Sequence, residues 1–389
     1  MTSREGLLAI EALEPAGRRV FLRADLNVPL HDGRITDDAR IRASLPTLRA
    51  LREAGARVVL ASHLGRPKGG RSEALSLEPV AKALGVALAP DCVGDEVVEQ
   101  VGRLRDGDAL LLENLRFHPG ETQNDPAFVE QLAELTDLYV NDAFGTAHRA
   151  HASTDGLPRR LGPERCAAGE LLLREVEALE RVRDTPERPY LCVLGGAKVS
   201  DKLAVLQALA QRADAVAIGG AMAYTFLLAR GEPVGRSLVE PEQVDTARAL
   251  LDGPTEILLP CDHVVAAGPD DGDHARSVER IPDDAMALDI GPASVQAIAA
   301  RVKAAATVFW NGPLGLFERP PFDQGSRAVA EALAESSAYS VVGGGDSLAA
   351  IHAAGVAERI SHLSTGGGAA LEFLEGRELP GLAALRSTT

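Results

Sequence analysis

Residues 191–203 read Leu-Cys-Val-Leu-Gly-Gly-Ala-Lys-Val-Ser-Asp-Lys-Leu. The apolar run Leu191–Leu194 ends at two glycines, which predicts a short buried strand. Leucines then recur at helical spacing, so the sequence predicts a helix over Ser200–Gln211. A strand, a Gly-Gly turn and a helix in this order form the repeating unit of a parallel α/β sheet.

Two lysines of this stretch, Lys198 and Lys202, would project from one face of the predicted helix. At that spacing like charges repel by about 0.2–0.5 kcal/mol, and they lie at the positive end of the helix dipole. Arginine supplies nearly every other positive charge, and the remaining lysines are Lys68, Lys82 and Lys303. Backbone N–H groups and two ammonium groups would bind a phosphate. A solvated helix face stays open as an alternative, because Gly-Gly-x-Lys lacks the complete phosphate-loop pattern.

Strand-like and helix-like segments alternate along the chain and predict parallel sheets with helices on both faces. The strand candidates are Arg19–Arg23, Arg57–Ala61, Ala109–Leu112, Leu138–Val140, Tyr190–Leu194, Ala215–Ile218, Ile257–Leu259, Val308–Trp310 and Ser340–Val342. The helix candidates are Asp38–Ala54, Leu77–Leu84, Ala127–Leu135, Ser200–Gln211, Pro241–Leu251, Ala293–Ala304, Gly325–Glu335 and Ser347–Ala354. A chain of 389 residues favours two domains, and a helix over Leu171–Arg183 is the best boundary between them.

Composition limits the classes of partner. A formal net charge of -16 argues against a nucleic-acid or acidic-membrane partner. The scattered cysteines, Cys92, Cys166, Cys192 and Cys261, contain no Cys-x-x-Cys pair, which predicts a reduced cytoplasmic protein with neither disulfides nor a zinc site. No apolar run approaches the length of a membrane span, and the first residues lack a signal-peptide pattern.

Candidate functional residues, most of them polar, collect after the predicted strands of the first half, where ligands bind in open parallel sheets. These residues are Asp25, Asn27, His63, Gly65, Arg66, Asn114, Arg116, Phe117, Asn141, Asp142, Phe144, His148 and Arg149, with Arg40 on the next helix. Guanidinium forks suit phosphate and carboxylate oxygens, so this half predicts a site for a small anion. Any single arginine is more often a surface ion-pair residue.

The second half offers glycine-rich turns at the corresponding positions. They are Gly195-Gly196, Gly219-Gly220, Asn311-Gly312-Pro313 and Gly343-Gly344-Gly345-Asp346, with Asp262 at a further strand end. Such turns suit backbone contact with a polyphosphate, and Glu318 and Asp346 are carboxylates suited to Mg²⁺. This half therefore predicts a nucleotide site. The alternatives are that Asp346 is only a helix N-cap and that the glycines form only a tight turn.

Two further features favour structural roles. The pair His148 and His151 has metal-ligand spacing, but no third ligand of matching spacing follows, which disfavours a metal site. The single tryptophan, Trp310, is better explained by core or domain packing than by stacking on a ligand. Neither feature therefore adds a function.

Eight segments together resemble the phosphoglycerate kinase family, occur in that family's order and cover the whole chain. They are residues 23–30 (RADLNVPL), 62–67 (SHLGRP), 112–117 (LENLRF), 141–153 (NDAFGTAHRAHAS), 195–202 (GGAKVSDK), 310–318 (WNGPLGLFE), 343–347 (GGGDS) and 364–372 (STGGGAALE). The resemblance implies two Rossmann-like three-layer α/β/α lobes with parallel sheets, which face each other across a cleft and are joined by a linking helix and a hinge. It implies a 3-phosphoglycerate lobe over 1–170, an interdomain helix over 171–185, a nucleotide lobe over 186–374 and a segment over 375–389 that packs back on the first lobe.

The same resemblance implies roles for single residues. Those that would bind 3-phosphoglycerate are Asp25, Asn27, Arg40, His63, Leu64, Gly65, Arg66, Arg116 and Arg149. Those that would bind ADP or ATP are Gly195, Lys198, Lys202, Gly219, Asn311, Glu318, Gly343, Gly344, Gly345, Asp346 and Ser347, with Asp346 directed at Mg²⁺. The catalytic residues would be Arg40, Lys198 and Lys202.

The implied reaction is direct in-line transfer of the acyl phosphate of 1,3-bisphosphoglycerate to MgADP, in glycolysis and gluconeogenesis. It would be catalysed reversibly by a cytoplasmic monomer without a nucleic-acid or membrane partner. The chain departs from the family at Ala221 and Ala370, where Gly and Ser are usual, and neither change removes a charge. A nicotinamide dehydrogenase is disfavoured because the chain lacks the dinucleotide-binding pattern. In that pattern a strand is followed by Gly-x-Gly-x-x-Gly and then, about 20 residues further on, by an acidic residue. A non-catalytic binding protein would be expected to lack a charged transfer residue, and none is missing.

Overall fold

The computed structural model describes residues 6–67 and 70–386, so Lys68 lies outside the described residues. The chain divides into two compact units, one formed by residues up to Glu177 and from Glu378 onward, the other by Ala178–Arg377. Within the described residues, no helix combines the length and apolar character that a membrane crossing requires.

The first unit is built on a six-stranded sheet with the order β5-β6-β4-β1-β7-β8, in which every pair is parallel. Its strands are β1 (Arg19–Ala24), β4 (Arg57–Ala61), β5 (Ala87–Leu88), β6 (Ala109–Leu111), β7 (Leu138–Asp142) and β8 (Cys166–Ala168), and β2 (Leu30–His31) and β3 (Arg34–Ile35) form a separate hairpin. Its helices are α1 (Ala39–Glu53), α2 (Glu78–Leu84), α3 (Asp95–Gly102), α4 (Pro119–Gln123), α5 (Pro126–Ala133) and α6 (Leu157–Leu161), with α15 (Pro380–Ala383) from the end of the chain. Helix α7 (Glu170–Arg183) follows and runs into the second unit.

The second unit repeats this architecture with the parallel order β11-β10-β9-β15-β16-β17. The strands are β9 (Tyr190–Leu194), β10 (Ala215–Ile218), β11 (Glu256–Leu258), β15 (Thr307–Asn311), β16 (Tyr339–Gly343) and β17 (His362–Ser364), and β12 (His263–Ala266), β13 (Arg276–Val278) and β14 (Met286–Ile290) form a small antiparallel sheet. The helices are α8 (Leu203–Ala210), α9 (Met222–Ala229), α10 (Val244–Leu251), α11 (Pro292–Ala304), α12 (Gln324–Glu335), α13 (Gly345–Ala353) and α14 (Gly368–Leu374).

The predicted α/β class with two parallel sheets is confirmed, and each of the strand candidates overlaps an observed strand. The alternation pattern missed the short edge strands β5, β8 and β17 and the antiparallel sheet β12–β14. Two- and three-residue edge strands carry too few side chains to show a periodic pattern.

Apolar side chains of the central strands make the core of each unit. Strand β1 is buried along nearly its whole length, and β9 and β15 are fully buried. Such continuous burial is characteristic of parallel strands covered on both faces. Trp310 is buried in the core of the second unit and donates its indole N–H to the Gly312 carbonyl at 2.7 Å, which confirms the prediction that it packs in the core.

Candidate functional site

Polar side chains of the first unit surround a cavity of about 280 Å³ beyond the carboxyl ends of the strands. The lining residues are Arg66, Pro67, Arg116, Pro119, Thr122 and Arg149. Three of the arginines singled out in the sequence therefore share one cavity. Three guanidinium groups around one space create a strongly positive potential, in a chain whose net charge is negative.

Arg116 is the most strongly held of these arginines. It lies in the short turn Leu115–Phe117 after β6, where the Asn114 side-chain oxygen accepts its backbone N–H at 3.1 Å. Its Nη1 donates to the Gly65 carbonyl at 2.8 Å, and its buried Nε has no hydrogen-bond partner among the residues that the structure describes. Burial, and after it the charge of Arg149, lowers the pKa of Arg116 to about 10. An unpaired buried donor in a positive cavity is the feature expected of a binding site for an anion.

Arg40 is held next to this region by a carboxylate. Its Nη1 lies 2.8 Å and 2.7 Å from the two carboxylate oxygens of Asp25, which is itself buried. Asn27 accepts the Gly65 N–H through its side-chain oxygen at 2.8 Å. The loop after β1 is thus tied both to helix α1 and to the loop after β4. The four predicted residues Asp25, Asn27, Arg40 and Gly65 form one connected group.

His63 is buried under the positive groups. Arg23 donates from Nη2 to its Nδ1 at 3.2 Å. Burial, followed by the charges of Arg23 and Arg116, holds the pKa of His63 well below its usual value, so the imidazole is neutral at physiological pH. A neutral ring with Nδ1 accepting from Arg23 carries its proton on Nε2 and can act as a donor there.

Three residues behind the cavity, Arg23, Glu121 and Ser153, were not singled out in the sequence, and His151 was considered only as a metal ligand. Arg23 is fully buried and donates from Nε to the Ser153 hydroxyl at 2.8 Å. The buried Glu121 accepts from the backbone N–H and the hydroxyl of Ser153 at 3.0 Å and 2.6 Å. His151 lies 3.8 Å from the same carboxylate. The available signal was Arg23 itself, because a charged residue inside an otherwise apolar strand must find buried partners.

Leu64 differs from the other predicted substrate residues. Its side chain packs in the hydrophobic core of the first unit, and its backbone N–H donates to the Asn114 side-chain oxygen at 3.2 Å. It therefore shapes the loop that carries His63 and Arg66, and its role in substrate binding stays a prediction.

The loops after β9, β10, β15 and β16 meet in the second unit. The Gly195 N–H donates to the Asn311 carbonyl at 3.0 Å, and the Gly219 N–H donates to the Leu194 carbonyl at 2.8 Å. A side chain at Gly195 would collide with the Pro313 carbonyl, and one at Gly219 would collide with Leu314. These glycines therefore allow the close backbone approach that brings the loops together.

The arrangement of the two lysines corrects the sequence prediction. Residues up to Lys202 form turns, and α8 begins only at Leu203, so Lys198 and Lys202 do not share a helix face. Ser200 donates its N–H and hydroxyl to the two carboxylate oxygens of Glu240 at 3.1 Å and 2.5 Å. Ser200, which the sequence placed in the first turn of the helix, is therefore in a turn that contacts a distant segment. Lys198 is exposed, whereas Lys202 is half-buried.

The ammonium of Lys202 lies where the strand order reverses between β9 and β15, the usual ligand position in such sheets. It donates to the Asn311 side-chain oxygen at 2.5 Å and to the Asn311 carbonyl at 3.0 Å. The Asn311 amide in turn donates to the Gly343 carbonyl at 2.8 Å. Burial lowers the pKa of Lys202 to about 8, against the opposing charge of Asp346. Lys202, Asn311 and Gly343 are thus brought together.

The glycine run after β16 leads into α13. Gly344, with a φ of 91°, precedes the helix, so Asp346 lies in its first turn and is not the N-cap residue. Ser347 is buried and its hydroxyl accepts the Gly312 N–H. Asp346 is exposed, and its hard carboxylate oxygens suit Mg²⁺. Glu318 lies in the loop after β15 and is exposed.

The remaining features from the sequence have structural positions. Ala221 directly precedes α9 and packs against the small cluster around Tyr224, and Ala370 is buried in α14. In the described part of the chain, His148 and His151 do not belong to any group of three potential metal ligands.

The phosphoglycerate kinase family model matches residues 10–377. The chain is 54% identical to the phosphoglycerate kinase of Anaeromyxobacter dehalogenans, over 97% of this chain and 99% of that protein. It is 50% identical to that of Pelotomaculum thermopropionicum, over 97% and 98%. The solved phosphoglycerate kinases of Coxiella burnetii and Pyrococcus horikoshii superpose with TM-scores of 0.88 and 0.84 at 40% and 36% identity, each over 97% of this chain and 98% of that chain. The chain therefore belongs to the phosphoglycerate kinase family and is, like its members, a phosphotransferase.

Proposed function

We propose that this chain transfers the acyl phosphate of 1,3-bisphosphoglycerate to MgADP, reversibly, to give 3-phosphoglycerate and MgATP. The observation that carries the proposal is the cavity lined by Arg66, Arg116 and Arg149, whose charges match a ligand with phosphate and carboxylate groups. A second, chemically different group in the other unit, Lys202 beside glycine-rich turns, suits a nucleotide polyphosphate.

In the proposed phosphoglycerate site, the three cavity arginines bind the phosphate while Asp25 and Asn27 orient the rest of the molecule. Asp25 has a second task, because its carboxylate fixes the guanidinium of Arg40. Neutral His63 donates a hydrogen bond and adds no charge. Arg40 is proposed to neutralise the phosphoryl group during transfer.

In the proposed nucleotide site, Gly195, Gly219 and the backbone of 343–347 approach the polyphosphate. Asn311 positions the ammonium of Lys202, which is proposed to neutralise the transferred group. The exposed Lys198 would reach the phosphates from solvent, and Glu318 would contact the nucleoside. Asp346 would hold Mg²⁺, which neutralises charge on the phosphates of the bound nucleotide.

The attacking oxygen of ADP is ionised at physiological pH, so the reaction needs no general base, in agreement with the neutral His63. The residues contribute by positioning the reactants and by neutralising the equatorial oxygens of the phosphoryl group. Direct transfer requires the two bound substrates to meet during turnover. We propose that hinge bending achieves this and excludes water, which would otherwise hydrolyse the acyl phosphate.

A coupled assay tests the reaction. Purified chain is given 1,3-bisphosphoglycerate and MgADP, and ATP is measured through hexokinase and glucose-6-phosphate dehydrogenase. ATP formation that requires both substrates and Mg²⁺ is expected. Absence of ATP in a folded preparation that still binds MgADP would contradict the proposal and favour a binding protein.

The lowered pKa of Lys202 predicts a pH dependence. Because the ammonium is the active form, kcat/KM for MgADP should fall as the pH rises through about 8, where free enzyme loses this charge. Below that pH Lys202 is protonated, and its ionisation no longer changes kcat/KM. A profile of kcat/KM from pH 6.5 to 9.5 checks this, and an alkaline limb that persists unchanged in Lys202→Arg would assign it to another group.

We further propose that the chain acts as a monomer in the cytoplasm, without nucleic-acid or membrane partners. The four cysteines are unpaired, as is usual in a reducing compartment. Light scattering coupled to gel filtration measures the mass, and a mass near 41 kDa is expected.

A further inference from the structure

Asp91, Cys92 and His118 form a compact cluster in the first unit. A carboxylate oxygen, a thiol sulfur and an imidazole nitrogen from the three side chains lie within 4.8 Å of one another. Among the described residues, 6–67 and 70–386, no other group of three potential metal ligands has its ligand atoms this close together. It has no part in the transfer reaction proposed above.

The parallel pairing of β5 and β6 builds the cluster. Asp91 and Cys92 lie just beyond the end of β5, and His118 follows the turn after β6. The Glu113 N–H donates to the Asp91 carbonyl at 3.3 Å and joins the two segments. Ligands that are far apart in the chain thus reach the same sheet edge, which explains why the cysteine spacing did not indicate a metal site.

The cluster is partly ordered in advance. Asp91 Oδ1 lies 2.7 Å from His118 Nε2 and accepts the Cys92 backbone N–H at 2.7 Å. The imidazole stacks on Phe128 with ring centroids 5.3 Å apart, which fixes its plane. Cys92 is fully buried, whereas the side chains of Asp91 and His118 are 43% and 32% exposed. An ion can therefore enter from solvent while the sulfur stays shielded.

The ligand set selects the class of ion. Thiolate and imidazole favour Zn²⁺ and similar transition metals over Mg²⁺ and Ca²⁺, which prefer oxygen. Tetrahedral Zn²⁺ with bonds of about 2.0–2.3 Å places its ligand atoms about 3.3–3.8 Å apart. The present spread of up to 4.8 Å requires side-chain shifts of roughly 1 Å. Three protein ligands leave a fourth position for water.

We propose that Asp91, Cys92 and His118 bind one thiophilic divalent transition-metal ion, Zn²⁺ being the natural case, separately from the ion that accompanies the nucleotide. The ion replaces the hydrogen bond between His118 and Asp91 and binds Cys92 as the thiolate, and the thiol proton is released to solvent. Because His118 directly precedes Pro119, a residue of the anion cavity, the bound ion anchors the start of α4 beside that cavity.

The test uses the full chain, treated with chelator and freed of nucleotide. Titration with Co²⁺ should give one equivalent with a near-ultraviolet thiolate-to-cobalt band, and competition with a chromophoric chelator gives the affinity for Zn²⁺. Cys92→Ser should abolish the band. His118→Asn and Asp91→Asn, at partly exposed positions, should each weaken Zn²⁺ binding at least about 10-fold, since each removes a direct ligand.

Cys261→Ser is the matched control, because Cys261 is an exposed thiol outside the cluster, and it should keep the wild-type affinity and band. Thermal unfolding in chelator establishes that each variant is folded, and the His118 and Asp91 variants decide the matter should Cys92→Ser fail to fold. Two results would overturn the proposal: wild-type Zn²⁺ affinity in folded His118→Asn, or loss of the cobalt band in Cys261→Ser.

Discussion

Lys202→Ala is expected to lower kcat by about 100-fold or more, the usual cost of one preorganised charge contact in a transition state. The ammonium is half-buried and oriented by two contacts to Asn311, so it does not have to reorganise when charge moves onto the phosphoryl group. An alanine leaves this position without a donor. Lys202→Arg should recover only part of the rate, because the larger planar guanidinium does not fit the contacts of a compact ammonium.

Steady-state kinetics with saturating MgADP and 1,3-bisphosphoglycerate measure this effect. Lys82→Ala is the matched control, because Lys82 is exposed and forms an ion pair with Glu78 on its own helix. The control should keep its kcat. A kcat within twofold of wild type in Lys202→Ala would remove Lys202 from the proposed mechanism.

Arg116→Ala is expected to weaken 3-phosphoglycerate binding by about 10- to 150-fold, which corresponds to roughly 1.5–3 kcal/mol for hydrogen bonds to a charged group. The buried Nε has no partner in the described structure, and the pKa of the group is lowered by burial and by neighbouring arginines. Burial and repulsion therefore destabilise the charged guanidinium in the free protein, and a bound phosphate would offset both effects. We expect the unliganded variant to be at least as stable as wild type to thermal unfolding, since removal of Arg116 reduces repulsion with Arg149.

Arg57→Ala provides the control for this arginine. Arg57 is half-buried, pairs with Asp106 and is the first residue of β4, at the amino end of the strand and not at the carboxyl end where the cavity lies. Its removal should leave the dissociation constant for 3-phosphoglycerate unchanged. Calorimetric titration that gives normal binding in Arg116→Ala would refute the role proposed for Arg116.

The central strands were predictable because parallel strands covered on both faces leave continuous apolar runs. The run Leu191–Leu194 is an example, and it belongs to β9, which is buried along its whole length. The convergence of polar residues at strand ends was also predictable, because parallel strands deliver their carboxyl ends to one edge. Arg66, Arg116 and Arg149 do share a cavity.

Contacts between distant segments could not be predicted in the same way. Helical spacing predicted that Lys198 and Lys202 share one helix face. In the structure this segment is a turn in which Ser200 contacts Glu240, and the helix begins only after Lys202. The support behind the cavity is equally non-local: Arg23 meets Ser153 from another part of the chain. A single sequence without tertiary information does not give such pairs.

The two ligands are proposed to bind at two chemically different groups of residues, one in each unit. Calorimetric titration of 3-phosphoglycerate and of MgADP into Arg116→Ala and Asp346→Asn is the decisive measurement. Arg116→Ala is expected to lose affinity only for 3-phosphoglycerate, and Asp346→Asn is expected to lose affinity only for MgADP. Wild-type affinity for both ligands in both folded variants, or an exchange of the two losses, would refute this assignment of the two sites.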